Sequence, residues 1–146
     1  MKRRLPVLVA ALWWGSLSTV GFLVVPMLFA LLATPALAGQ TAARLFTAQT
    51  WVSLACGLVL LLMSRGKEEQ ARMDWAQGAL AFIAGGVLLA LLGEFAVAPR
   101  ILARENLKLW HSAGSAMFLL QWACSAVVLW KVTGLASTGP MSTGPS

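Results

Sequence analysis

The sequence predicts an all-α membrane protein, a bundle of four transmembrane helices. Of the 146 residues, 59% are hydrophobic and only 11% are charged, whereas soluble domains carry about 25% charged residues. The charged residues lie in short stretches between long apolar runs, and a helix needs about 20 mostly apolar residues to cross the hydrocarbon. Strands would leave backbone groups unpaired in lipid, and four of them are too few to close a membrane barrel.

Four apolar runs approach or exceed the thickness of a bilayer at a rise of about 1.5 Å per residue. The predicted spans are residues 8–32, 46–63, 79–98 and 109–132. Together with the amino terminus they form one domain, residues 1–132. The tail, residues 133–146, contains Ser-Thr-Gly-Pro twice; its composition cannot bury a core, so it is predicted to be disordered.

The amino terminus allows a second interpretation, a cleaved signal peptide. Met1–Arg4 is basic, and Ala36–Ala38 before Gly39 resembles a signal-peptidase site. The apolar run between them is about 25 residues long, against roughly 7–15 in secretory signals. This length favours a retained first span, and cleavage after Ala38 stays open.

The distribution of basic residues predicts the orientation. Seven Lys and Arg residues lie at the termini and in the middle loop, against four in the first and third loops. Both termini are therefore predicted to be cytoplasmic. The net charge of +6 does not indicate nucleic-acid binding, because the basic residues flank apolar runs and suit a lipid bilayer as the partner.

The two halves of the chain resemble each other weakly. Gly21–Pro26 is similar to Gly93–Pro99 with an offset of one residue, and Leu54–Cys56 is similar to Trp122–Cys124. Two parallel helical hairpins would explain this repeat, and so would chance similarity between apolar segments.

Small residues recur every four positions in three spans and predict helix–helix contacts in the bundle interior or between copies of the chain. Packing alone would explain most of them. The stripes are Ala11, Gly15 and Thr19; Ser53 and Gly57; and Gly86 and Ala90.

Glu94 continues the last of these stripes and lies inside the third span. An ionised carboxylate that faces lipid costs several kcal/mol, so Glu94 is predicted to face the interior. His111, the only histidine, shares a helix face with Ser115 and Trp122 and is predicted to point inward too. The hairpin of the third and fourth spans brings both to one end. The candidate polar vestibule, on the periplasmic side, comprises Glu94, His111, Arg44, Gln49, Arg100 and Ser115.

Several functions fit such a cluster. It could be structural and tie helix ends together; it could relay protons or serve a small transporter through Glu94 and His111; its basic rim could attract an anionic ligand or lipid headgroup. A haem or copper redox protein is a further hypothesis, although bis-histidine ligation of haem needs two histidines. The sequence contains no recognisable catalytic motif, so neither an enzyme, a cofactor nor a metal site is predicted.

Several stretches also carry a family resemblance: Ala11–Ser16, Gly21–Phe29, Ala38–Gly39, Ala43–Phe46, Pro99–Arg100 and Leu109–Ser115. Together, over residues 8–132, they resemble a family of bacterial membrane proteins of unknown function that is similar to eukaryotic transmembrane protein 205. The resemblance implies four spans, a bacterial inner-membrane location and no established activity. It assigns no role to His111. Copper-resistance membrane proteins and haem-binding protoporphyrinogen oxidases look superficially similar, but the single histidine argues against both.

Overall fold

The computed structural model describes residues 4–64 and 73–137. Most of the predicted middle connector and the residues after 137 lie outside this description. The described part forms six α-helices and two π-helical segments. The α-helices are α1 (Leu5–Ser18), α2 (Val25–Leu31), α3 (Pro35–Ser64), α4 (Met73–Leu92), α5 (Ala98–Leu102) and α6 (Leu107–Ser137). The π-helical segments are Thr19–Val24 and Gly93–Val97.

Four helices in the described part are long and apolar enough to cross a membrane, which confirms the predicted fold class. The chain is therefore a multi-pass membrane protein. The spans are Leu5–Leu31, Pro35–Ser64, Gly78–Leu102 and Leu107–Gly134. We refer to them as the first to fourth span.

The helices extend beyond the apolar runs from which they were predicted. The second span begins at Pro35 rather than at residue 46, because Pro suits the first turn of a helix. The Thr34 hydroxyl accepts the Leu37 N–H at 3.2 Å and caps this helix start. The last helix ends at Ser137 rather than at Val132. Hydropathy shows which part of a helix lies in hydrocarbon, but it does not show how far the helix continues into the polar interface.

The spans pack in a ring, in which each contacts the next and the fourth contacts the first. The connections at residues 32–34 and 103–106 lie at one end, which we call the turn end. The opposite end, which holds residues 4, 64, 73 and 137, is the terminal end. Between the middle of the spans and the terminal end the interior is filled by apolar side chains. The largest that are fully buried are Trp13, Leu17, Leu60, Ile83 and Val128.

Small residues permit this packing in two of the three predicted stripes. Ser53, Gly57, Gly86 and Ala90 are buried as predicted, and a Cβ at Gly57 would collide with the Val87 side chain. The prediction that the first stripe faces the bundle interior is wrong. Ala11 and Thr19 are exposed and Gly15 has no neighbour within 4 Å of a Cβ position, because α1 turns Trp13 and Leu17 inward instead. Residues every four positions share a face, and tertiary packing decides which face is inside.

The internal sequence repeat has a structural counterpart. Thr19–Val24 in the first span and Gly93–Val97 in the third are both π-helical, and each precedes a proline, Pro26 and Pro99. In each, the N–H of the residue before the proline donates to the carbonyl five residues back. A proline ring clashes with the carbonyl four residues earlier, and a wider turn relieves the clash. The two hairpins thus have the same helix distortion near the turn end.

Candidate functional site

Four polar side chains from three spans form a hydrogen-bonded group near the middle of the bundle, which we call the polar layer: Ser16, Gln49, Ser53 and Gln121. Gln49 Nε2 donates to Ser16 Oγ at 2.9 Å and lies 3.5 Å from Ser53 Oγ. Gln121 Nε2 donates to Ser53 Oγ at 2.9 Å. Gln49 and Ser53 reach each other because they lie one turn apart on α3. The layer therefore links the first, second and fourth spans.

The side chains of the polar layer need one another as hydrogen-bond partners, because water is scarce inside a membrane bundle. Gln49, Ser53 and Gln121 are at most 5% exposed, and a buried amide donor without a partner costs free energy. Of these residues, sequence reasoning assigned only Gln49 to the vestibule. The small-residue stripe predicts Ser53 to be a packing residue. The layer could have been predicted from two amide side chains inside apolar spans, Gln49 in the second span and Gln121 in the fourth.

We predict that Ser53→Ala destabilises the bundle, because Ser53 Oγ accepts from Gln121 and its loss leaves a buried amide donor unpaired. The expected cost is about 1–3 kcal/mol, measured by far-UV circular dichroism as the chain unfolds in mixed micelles. The matched control is Ser112→Ala, since Ser112 is exposed and its hydroxyl donates only to the Lys108 carbonyl. Equal stability of the two variants would contradict a structural role for the layer.

Glu94 lies closer to the turn end, in the π-helical segment of the third span. It is half-buried, and the Thr47 hydroxyl of α3 donates to Glu94 Oε1 at 2.9 Å. Glu94 thus contacts the neighbouring second span and is turned toward the bundle, the direction that the sequence predicts. Thr47 was not among the predicted site residues; a hydroxyl inside an apolar run was the available signal. No ion pair reaches Glu94 within residues 4–64 and 78–134.

The helix distortion adds a second acceptor at this position. The Ala98 N–H donates to the Gly93 carbonyl, and Pro99 has no N–H. The carbonyl of Glu94 therefore lacks a donor at the fourth and fifth residues after it. A carboxylate and a released backbone carbonyl on one residue attract a proton or a cation, as released carbonyls do in broken membrane helices.

His111 and Ser115 do not lie where the sequence analysis placed them. Both are exposed, so the prediction that they point inward is wrong. His111 lies near the start of α6, and Ser115 lies one turn later on the same helix. No hydrogen bond or ion pair joins His111 to Glu94 among the described side chains. These side chains also include no group of three His, Cys, Asp or Glu that could hold a metal ion.

Arg44 and Arg100 are exposed toward the turn end. The Arg100 guanidinium lies 4.3 Å from the ring centroid of Trp110, a cation–π contact between α5 and α6. The six predicted vestibule residues are therefore divided between the interior, which holds Gln49 and Glu94, and the surface, which holds the rest.

Comparison with known proteins identifies a family. Residues 8–109 match the model of the family described as domain of unknown function (DUF4149). The match covers most of the first span, the whole second and third spans, the turn between α5 and α6 and the start of α6. No curated protein and no solved structure matches the chain. Since the matched residues make up more than half of the chain, the protein belongs to the DUF4149 family, whose function is not known.

Proposed function

We propose that this DUF4149 protein is a structural or accessory protein of the bacterial inner membrane, with both termini in the cytoplasm. The polar layer is the observation that carries the proposal, because it joins three spans at mid-membrane through hydrogen bonds among interior side chains. The apolar core fills the interior between this layer and the terminal end. Such an interior suits a rigid helical scaffold better than a solute path.

An accessory protein acts through partners, and the outward-facing small residues of the first span suit a helix from another copy of the chain. Ala11, Gly15 and Thr19 allow close backbone approach, and Gly15 has no neighbour within 4 Å of a Cβ position. The proposal therefore includes a homo-oligomer through this face. The similarity to eukaryotic transmembrane protein 205 stays a prediction from the sequence.

A second candidate, a small transporter or proton-linked channel, is favoured by Glu94. Its carboxylate is half-buried in a membrane span, accepts a hydrogen bond from Thr47 and has a released carbonyl beside it. Intramembrane carboxylates commonly mark ion or proton pathways. In this proposal the polar vestibule opens on the periplasmic side and consists of Glu94 and Thr47, with His111 and Arg100 on its outer surface.

Glu94→Gln separates the two functions. A scaffold conducts nothing, so we expect proteoliposomes with wild-type protein to show the same proton flux as empty liposomes, with a pH-sensitive dye as the readout. If Glu94 relays protons, the wild-type flux should exceed that of empty liposomes. It should fall at least tenfold in Glu94→Gln, because an amide has no carboxyl proton to release. Gln keeps the acceptor for Thr47, so the fold is expected to survive, as judged by circular dichroism.

Glu105→Gln is the matched control, since Glu105 is exposed in the turn between α5 and α6. Wild-type flux that Glu94→Gln removes and Glu105→Gln preserves would overturn the scaffold proposal. Flux that both variants lower equally would point to a general surface-charge effect and contradict the relay.

A further inference from the structure

The turn between α5 and α6 holds basic side chains at the membrane surface. Only residues 103–106 separate two membrane-spanning helices. The turn is folded onto the helix end, since the Glu105 N–H donates to the Arg100 carbonyl and the Arg104 N–H donates to the Ile101 carbonyl, both at 3.1 Å. Four residues span at most about 14 Å even when extended. The turn is therefore too short to extend out of the headgroup layer.

Basic and apolar side chains are interspersed along this turn and its flanks. The cations are exposed, and so are three leucines close to them in the sequence. We call the three cations Arg100, Arg104 and Lys108 the basic turn; the leucines are Leu102, Leu107 and Leu109. Exposed leucines beside two membrane helices meet acyl chains, whereas the cations meet the phosphate layer above them.

The cations of the basic turn have few partners of their own. Arg100 is held over the Trp110 ring, and Trp prefers the membrane interface. Glu105 is the only acidic residue in the connection, and no ion pair joins it to a cation among the described side chains. The charge of the basic turn is thus available to an external anion.

The backbone at Arg104 also points to a use for its side chain. Arg104 has φ 57° and Asn106 has φ 36°, a left-handed conformation that Gly and Asn adopt readily and other residues rarely do. Asn106 suits its place, where its carbonyl accepts the N–H groups of Leu109 and Trp110. At Arg104 a glycine would fit the backbone better, yet the sequence has a guanidinium there.

We propose that the basic turn binds the phosphate headgroup of an anionic phospholipid from the leaflet in which it lies. The lipid is the occupant that satisfies both chemistries of the surface, since its phosphate pairs with the cations and its acyl chains cover the three leucines. A soluble polyanion or an acidic peptide would meet only the cations. The inference holds for either proposed function, because it depends on the surface and not on the interior.

The test compares lipid binding by native mass spectrometry on the whole protein, purified in a non-ionic detergent. We expect the wild type to bind phosphatidylglycerol about a hundredfold more tightly than phosphatidylcholine. The triple variant Arg100→Gln, Arg104→Gln and Lys108→Gln should lose about a hundredfold in phosphatidylglycerol affinity, since each cation near a surface contributes roughly fivefold. Its affinity for phosphatidylcholine should not change. Lys131→Gln, a basic residue toward the terminal end, should have no effect.

A matched pair keeps the test valid should the triple variant fold poorly. Arg104→Gly and Asn106→Gly both place glycine at a left-handed position, but only the first removes a charge. We expect a roughly fivefold loss for Arg104→Gly and no loss for Asn106→Gly. Unchanged phosphatidylglycerol affinity in the triple variant, or equal effects within the pair, would overturn the proposal. Full competition by millimolar inorganic phosphate, or equal binding of an acidic peptide without lipid preference, would overturn it as well.

Discussion

Replacing Trp13 by alanine is expected to lower the free energy of unfolding by about 3–5 kcal/mol. Trp13 is 0% exposed, and its six-membered ring reaches from α1 across the bundle to Gly86 on α4. Its removal would leave a cavity at the centre of the bundle, where no lipid or water can replace the lost contacts. The measurement is far-UV circular dichroism during reversible unfolding in mixed micelles.

Trp130→Ala is the control for this prediction. It removes the same side chain from the same bundle, but Trp130 is 81% exposed on the outer face of α6. We expect a change below about 0.5 kcal/mol, typical of surface positions. Comparable losses at Trp13 and Trp130 would mean that Trp13 does not fill the bundle centre.

Gly86→Ala is expected to destabilise the fold by about 1–3 kcal/mol through overpacking. A Cβ at Gly86 would lie 2.9 Å from both Cη2 and Cζ2 of Trp13, which is wholly buried and cannot move aside. Gly15→Ala is the control, because a Cβ at Gly15 meets nothing within 4 Å. There the higher helix propensity of alanine should make the change neutral or slightly stabilising.

A double-mutant cycle tests whether Trp13 is the cause. Trp13→Phe removes Cη2 and Cζ2, the two atoms that the new methyl group would meet, so it should recover at least half of the loss caused by Gly86→Ala. It also removes the indole N–H, which is buried without a hydrogen-bond partner among the described residues. Strictly additive effects of the two substitutions would show that the contact does not limit packing at Gly86.

Sequence reasoning identified the four spans and the inward direction of Glu94, Ser53 and Gly86, since each follows from a local rule. A carboxylate avoids lipid, and small residues one turn apart share a face. The same rule failed at Ala11 and Thr19, because a helix with both Trp13 and a small-residue stripe has two faces that could pack. Gly86, across the bundle on α4, leaves room for the Trp13 ring, so the face with Trp13 packs inward.

In the candidate site, too, some features follow from the sequence and others only from the packing of the helices. His111 was predicted to join Glu94 because both lie toward one end of a hairpin, but proximity along a helix axis does not fix direction around it. The structure pairs Glu94 with Thr47 of a different hairpin and leaves His111 at the surface. Gln49 and Gln121 are far apart in sequence, and the ring order of the spans brings both amides to Ser53.

The sequence by itself determined that this chain crosses the membrane four times, because hydrocarbon accepts only long apolar helices whose backbone groups are paired within the helix. It also determined where the helices distort, since a proline acts on its own preceding turn. The tertiary structure alone decided which residues line the interior and which pairs of polar groups meet. Those outcomes depend on side chains from three or four helices fitting together at once, and apolar stripes leave several rotations of each helix nearly equal in hydrophobic burial.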